Sequence, residues 1–236
     1  MTNSIGSEET VVVPSSVKEI LYNAFKGSTL KRVYIPGSVK KIGSLAFANC
    51  SLLEEVNIAD GVLSFDAGVF ENDTALKKVR LPVTLSEYGT NIFRGCTYLE
   101  SIILPDSYNK ISFGWLSGSG IKEITIGRSI REIESCAFED CNQLTSIEIP
   151  GSVNTLGSEA FARCSALAEI KLNEGLKLIE GSVFRNCPVK EITLPRSVNT
   201  MYYNVFDGFY SQIFVHKGSY AERYMIENGL EYETVD

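Results

Sequence analysis

Thiols are the first groups in this chain to test for chemistry, because five cysteines recur at regular intervals: Cys50, Cys96, Cys141, Cys164 and Cys187. Their steps are about 23 residues or twice that. Zinc sites gather their ligands in close pairs, and disulfide frameworks need cysteines that pair off. Here the corresponding position in other copies of the same pattern holds Ser28, Asp73, Gly118 and Phe209. A position that accepts such residues is neither a metal site nor a disulfide framework. These thiols are expected to be buried and free, acting as small apolar side chains that fill a turn. Cys136 stands outside the series, two residues before Phe138. The single histidine, His216, is far along the chain from most of the cysteines. A Ser-His-Asp or Cys-His mechanism would have only that base to draw on. No G-x-x-x-x-G-K or G-x-G-x-x-G run opens a helix after a strand. The chain therefore reads as non-enzymatic, with no cofactor and no metal.

The elements that carry these residues are repeats. Aromatic anchors fall at Phe25, Phe47, Phe70, Phe93, Trp115, Phe138, Phe161, Phe184 and Phe206, spaced by 22 or 23 residues. Such a period is the signature of a stacked-repeat architecture. A small or apolar residue precedes nearly every anchor, with Gly114 different in kind, and the cysteine series sits three residues after it. Pro14, Pro36, Pro82, Pro105, Pro150 and Pro195 share one position. Before the proline runs L-x-x-V/I-x-I/L, as in Leu144, Ile147 and Ile149, whose last three residues alternate as a half-buried strand does. Proline, lacking an amide hydrogen, ends that strand. The next piece, x-S-V-x-x-I/L, suits a short extended turn or one helical turn equally, and A-F-x-x-C is read as a helical or 3₁₀ turn. One unit cannot fold alone, because ordering its backbone costs more than its few apolar side chains return. Stacking the copies removes the deficit. The fold expected is a repeat solenoid of about nine units with a parallel β-sheet on one face.

The stretches CSLLEEVNIA, CNQLTSIEIP and GSVKKIGSLAF, recurring in register over residues 11–236, resemble the leucine-rich repeats of the BspA (Treponema pallidum-type) family. That resemblance implies a right-handed, curved superhelix. It also implies a secreted or cell-surface protein used for adhesion to a protein ligand, on host proteins or other cells.

Residues 1–10 are polar and read as a lead-in, 11–212 as the solenoid and 213–236 as a C-terminal cap. In the cap, Ser219 is expected to open a helix that Gly229 ends, with Ala221, Tyr224, Met225 and Leu230 covering the last unit. The abrupt start, Val11 to Pro14, suggests a missing preceding segment or end-to-end packing. The opening ten residues lack the basic start and apolar core of a secretory leader. Trp115, with glycines at 114, 118 and 120, is read as an indole accommodated at the Phe position or as a local kink.

Function must lie where the copies differ, at the outward strand positions. The candidate face comprises Arg32, Tyr34, Glu55, Asn57, Lys78, Arg80, Ile103, Glu123, Glu148, Glu169, Lys171, Glu191 and Phe214. Its third strand is basic and its second half acidic, and Tyr34, Ile103 and Phe214 are the apolar contacts a protein partner would use. A net charge of −7 argues against nucleic acid and anionic membranes. No apolar run reaches the roughly 20 residues a spanning helix needs. The reading is a protein-binding module. A structural spacer within a longer surface protein, or a carbohydrate-active solenoid enzyme with clustered carboxylates, are the alternatives.

Overall fold

The computed structural model describes residues 9–236, so the lead-in expected over 1–10 lies almost wholly outside the described residues. From there the chain winds through successive turns of a parallel solenoid, each laying down three short runs.

The first run is the long strand. Thr10–Val12, Arg32–Ile35, Glu55–Ile58 and Lys78–Arg80 form one parallel sheet. Ser146–Ile149 then pairs with Glu169–Leu172, and Glu191–Leu194 with Gln212–His216. Side chains alternate out and in, so Val33 and Ile35, Val56 and Ile58, and Ile147 and Ile149 enter the core. The second run is x-S-V-x-x-I/L, and of its two readings the extended one is seen. Nine two-residue strands, from Glu19–Ile20 to Thr200–Met201, pair in parallel as two sheets of four and five.

The third run, around the aromatic anchor, is not the helical turn expected. Amides two before, at, and two after the anchor donate to the next repeat: Leu45 to Ala67 (2.9 Å), Phe47 to Val69 (2.9 Å) and Asn49 to Glu71 (2.8 Å). The residues between them bond three positions back, as Ala48 does to Leu45. To aim amides this way the chain adopts left-handed φ at both flanking positions, for example Asn23 and Gly27, Leu45 and Asn49, and Gly68 and Asn72. Asn and Gly tolerate that conformation best, which is why they recur there.

The same backbone signature corrects the assignment of the fifth anchor. Left-handed Gly114 and Gly118 bracket Leu116, not Trp115. Phe93 donates to the Trp115 carbonyl, and Leu116 to that of Ala137, as an anchor in this fold does. Leu116 thus holds the anchor position, Trp115 the preceding small-residue position, and Ser119, rather than Gly118, the cysteine-series position. The ring column is interrupted as a result. Phe25, Phe47, Phe70 and Phe93 stack at 4.9–5.6 Å, and Phe138, Phe161 and Phe184 at 5.1 and 6.1 Å. Trp115 meets Phe93 edge-on at 82°, 1% exposed.

The split of the short sheet has a local cause nearby. Tyr88 and Tyr108 occupy inward V-x-x-I positions, and their rings stack at 5.1 Å. The Tyr88 hydroxyl sits between the two runs, donating to the Lys110 carbonyl (3.0 Å) and accepting from the Lys110 amide (3.2 Å). It bridges where a direct backbone pair would otherwise form. The long sheet lapses in the same region, with no regular strand at 101–104 or 123–126.

At the other end, helix Tyr220–Glu227 is capped by the Ser219 hydroxyl, which accepts from the Glu222 amide. Ala221, Tyr224 and Met225 are buried against the last repeats, and strand Glu233–Val235 pairs with Gln212–His216. Gly229 follows with left-handed φ, as expected of a helix-ending residue.

The stacked anchors carry much of the packing. Phe161, fully buried between Phe138 and Phe184, is expected to cost about 3–5 kcal/mol on replacement by alanine, measured by urea denaturation. A loss below about 1 kcal/mol would contradict the column as the source of stability.

Candidate functional site

The strand registers align the outward residues in two columns. In the N-terminal sheet Arg32, Glu55 and Lys78 are successive partners, as are Tyr34, Asn57 and Arg80. Arg32, Glu55, Lys78 and Arg80 are exposed, Tyr34 is 40% exposed and Asn57 half-buried. The basic character expected of the third strand is partly offset, although Lys78 itself is in no ion pair among the described residues. Arg80 pairs with Asp60 (3.1 Å) and donates to the Ile58 carbonyl (2.6 Å), and Lys77 lies 3.6 Å from Glu54.

The C-terminal half differs. Glu123, Glu148, Glu169, Lys171 and Glu191 are all exposed, and Ser146 stands beside Glu169 as Glu148 does beside Lys171. Lys171 bonds Glu148 at 2.7 Å and Asn173 adds a bond of 2.9 Å, which together hold that carboxyl below its usual range. Among the described residues Glu123, Glu169 and Glu191 form no ion pair. Two open depressions of about 650 and 610 Å³ lie over this half and share Ser146, Ile147 and Glu148. Together they make one trough over residues 101–193, and Ile103, 87% exposed, lies in it where the sheet ladder has lapsed. Phe214 is less available than expected. It is half-buried because its strand is paired on both sides, Phe214 lying between Thr193 and Glu233. Ser146 and Thr193, outward by their repeat positions, also line the trough, as does Asp106 after Pro105, which the repeat pattern did not single out.

The thiol series is a structural feature. All six cysteines are free, and those of the series are buried. Each series Sγ donates to an anchor carbonyl of the preceding repeat: Cys50 to Phe25 (3.1 Å), Cys96 to Phe70 (3.1 Å), Cys141 to Leu116 (3.2 Å), Cys164 to Phe138 (3.0 Å) and Cys187 to Phe161 (2.8 Å). Burial raises the Cys96 thiol well above its ordinary range and pushes Cys141 up to about 12. Cys96 and Cys141, so held, are not thiolates and make poor nucleophiles. Partly exposed Cys136 is also raised, to about 11, by burial first and then by Glu139 and Glu159. His216 lies in strand Gln212–His216, with Nδ1 3.2 Å from the Asp236 main-chain oxygen.

The sequence matches the model of the BspA type leucine rich repeat region in six copies, over residues 3–119 and 87–212. The chain belongs to the BspA-type leucine-rich-repeat family. No curated protein matches it. Among solved structures it is similar to the Treponema pallidum leucine rich repeat protein at 24% identity, over 95% of this chain and 85% of that one, with a TM-score of 0.54. The pneumococcal vaccine antigen PcpA is similar at 17% identity, over 97% and 79% of the two chains, also with a TM-score of 0.54. A leucine-rich repeat protein of Eubacterium ventriosum gives 18% identity over 80% and 61%, again at 0.54. At these identities the likenesses show the family's solenoid and nothing of a partner.

The thiol geometry makes a direct expectation. Maleimide at pH 7.5 should modify Cys136 alone, and slowly, in the folded chain, with all six thiols reacting in denaturant. Rapid modification of two or more series cysteines, followed by mass spectrometry, would contradict the buried donor arrangement.

Proposed function

We propose that this chain is a non-enzymatic protein-binding module displayed at a cell surface or outside the cell, in the adhesin-like role that its family resemblance implies. The repeats over 11–212 form the binding unit and 213–236 close it. The partner lies along the long-strand face, with its main contact in the trough over residues 101–193. Ile103 carries this reading: a large aliphatic side chain 87% exposed, inside the more open half of the face. An exposed apolar residue ringed by polar groups is the usual anchor of a protein contact. Glu123 beside it, and Glu169 and Glu191 farther along the trough, favour a partner segment that presents an apolar residue followed by basic ones. The pneumococcal relative is described as a vaccine antigen, which agrees with an exposed location.

A spacer role is the second reading, and one observation favours it. Much of the face neutralises itself through Lys77 with Glu54, Lys122 with Glu100 and Lys171 with Glu148.

Ile103→Asp, the pair Glu169→Lys/Glu191→Lys, and the pair Lys78→Glu/Arg80→Glu separate the two. Purified extracellular-matrix and cell-surface proteins are passed over each variant in surface plasmon resonance. For a partner that binds the unaltered chain, Ile103→Asp and the first pair should weaken binding about tenfold or more, and the second pair much less. Folding is checked by circular dichroism. Unchanged binding in all three variants favours the spacer, and turnover of a polysaccharide would overturn the assignment.

A further inference from the structure

One residue in the buried series does not fit the thiol pattern. Asp73 takes the position held by cysteine in the repeats on either side, between Cys50 and Cys96, and it is 0% exposed. In eight of the nine turns the amide three residues after the anchor donates to the anchor carbonyl: Ser28 to Phe25, Asp73 to Phe70, Cys96 to Phe93, Ser119 to Leu116, Cys141 to Phe138, Cys164 to Phe161, Cys187 to Phe184 and Phe209 to Phe206. The turn of Phe47 is the exception. There the Cys50 amide instead donates to Asp73 Oδ1 at 2.7 Å. Among the described residues no hydrogen bond then reaches the Phe47 carbonyl. Phe47 is also the anchor of the repeat before Asp73, the one whose carbonyl accepts from the side chain of a series cysteine elsewhere in this fold. Asp73 Oδ2, the group that stands in for the thiol, has no partner.

Two buried acceptors left over from the same exchange lack one thing, a proton. A carboxylate can only accept, whereas a carboxylic acid can donate through one oxygen and accept through the other. We propose that Asp73 is held as the neutral acid, with Oδ1 accepting from the Cys50 amide and the Oδ2 proton donated to the Phe47 carbonyl, so that its ionisation loosens the turns of the second and third anchors. This makes the N-terminal half of the solenoid firmer in mild acid than in mild alkali.

The surroundings support the neutral form. The titratable groups coupled to it are the thiols of Cys50 and Cys96, both raised mainly by burial, and on its own turn Glu71 pairs with Arg94 at 3.8 Å. No cation is among them to favour a carboxylate. Burial, opposed only by the Cys50 amide, pushes Asp73 from an ordinary 3.8 up to about 8. A carboxyl whose folded value is raised binds its proton more tightly in the folded chain. Its contribution to stability is complete below the unfolded value and is lost as pH rises through the folded one. The affected turns lead straight into the candidate face: Leu53 donates to Cys50 and Leu76 to Asp73 immediately before strands Glu55–Ile58 and Lys78–Arg80.

Asp73→Asn is the neutral isostere, because its carbonyl can take the Cys50 amide and its NH₂ can donate to Phe47. Asp73→Cys restores the residue of the flanking repeats and is the second variant. In the full chain, the Asp73 carboxyl carbon, followed by ¹³C NMR, should remain in its protonated position through pH 6. Both variants should gain over the unaltered chain as pH rises from 5 to 8. The ratio of unfolding constants should widen about tenfold per pH unit until the buried acid ionises. Amide exchange at residues 47–76 in the unaltered chain, corrected for intrinsic rates, should quicken over the same range while residues 138–164 stay constant. A carboxyl that titrates with the other aspartates, or variants whose difference from the unaltered chain is the same at pH 5 and pH 8, would overturn the proposal.

Discussion

Every turn of this solenoid borrows hydrogen-bond partners from the next, and this dependence constrains everything else. Around seven of the nine anchors, from Phe25 to Phe161, three amides in alternate positions point along the stack, so a repeat is satisfied only when a neighbour presents carbonyls at the same height. Left unpaired in the interior, each such group would cost more than a typical net hydrogen bond returns. The backbone accepts left-handed φ at residues as unsuited to it as Leu45, Glu159 and Arg163 to keep that alignment. Repeat length cannot drift, because one residue of slip would misplace the donors and turn inward strand side chains outward. The near-constant 22–23-residue spacing is therefore a consequence of the backbone and does not depend on a conserved ligand.

Where the alignment is relaxed, a side chain takes over. Tyr88 inserts its hydroxyl between two runs that would otherwise pair directly, and Tyr108 and Trp115 fill the volume around it. Residues 101–104 and 123–126 follow the stack without forming a regular ladder, and Ile103 is turned out beside this region. The aromatic substitutions in the core and the most exposed aliphatic residue of the face thus belong to one local departure. The anchor turns keep their register through this region, and the lapse of the strand ladder gives the outer face a relief that a uniform sheet lacks.

Most of the fold was legible because its determinants are local and repeated. Inward strand positions such as Ile147 and Ile149, the terminating prolines and the Ser219 cap each follow from one residue type in one recurring place. Aromatic identity places the fifth anchor at Trp115, whereas backbone conformation places it at Leu116. Gly114 and Gly118, at the spacing that Asn23 and Gly27 or Gly68 and Asn72 show, were the sequence signal that pointed to Leu116. The anchor turn was misread because its bonds run between repeats, and local propensity is blind to partners some 22 residues away. The outward positions of the face could be enumerated from the period alone. Which charges cancel could not, since Arg80 finds Asp60 and Lys77 finds Glu54 through side-chain reach that alternation does not encode.

The thiol series and the sheet face show how a repeat protein divides its tolerance for change. An outward position such as Glu169 meets water, so its identity is free to follow a partner. At the thiol position cysteine offers its neighbour both volume and a donor, fitting a tight turn and giving its S–H to a carbonyl 25 or 26 residues earlier. Serine at Ser28 and Ser119 keeps a donor at lower volume, and phenylalanine at Phe209 abandons the donor at the last turn. Aspartate keeps the capacity to donate only while protonated. Its presence in the middle of the stack ties the alignment of two repeats to a proton, and those repeats carry the strands of Glu55 and Lys78. The copies thus differ inside the stack as well as on its surface, and an interior difference reaches the face through the backbone it holds in register.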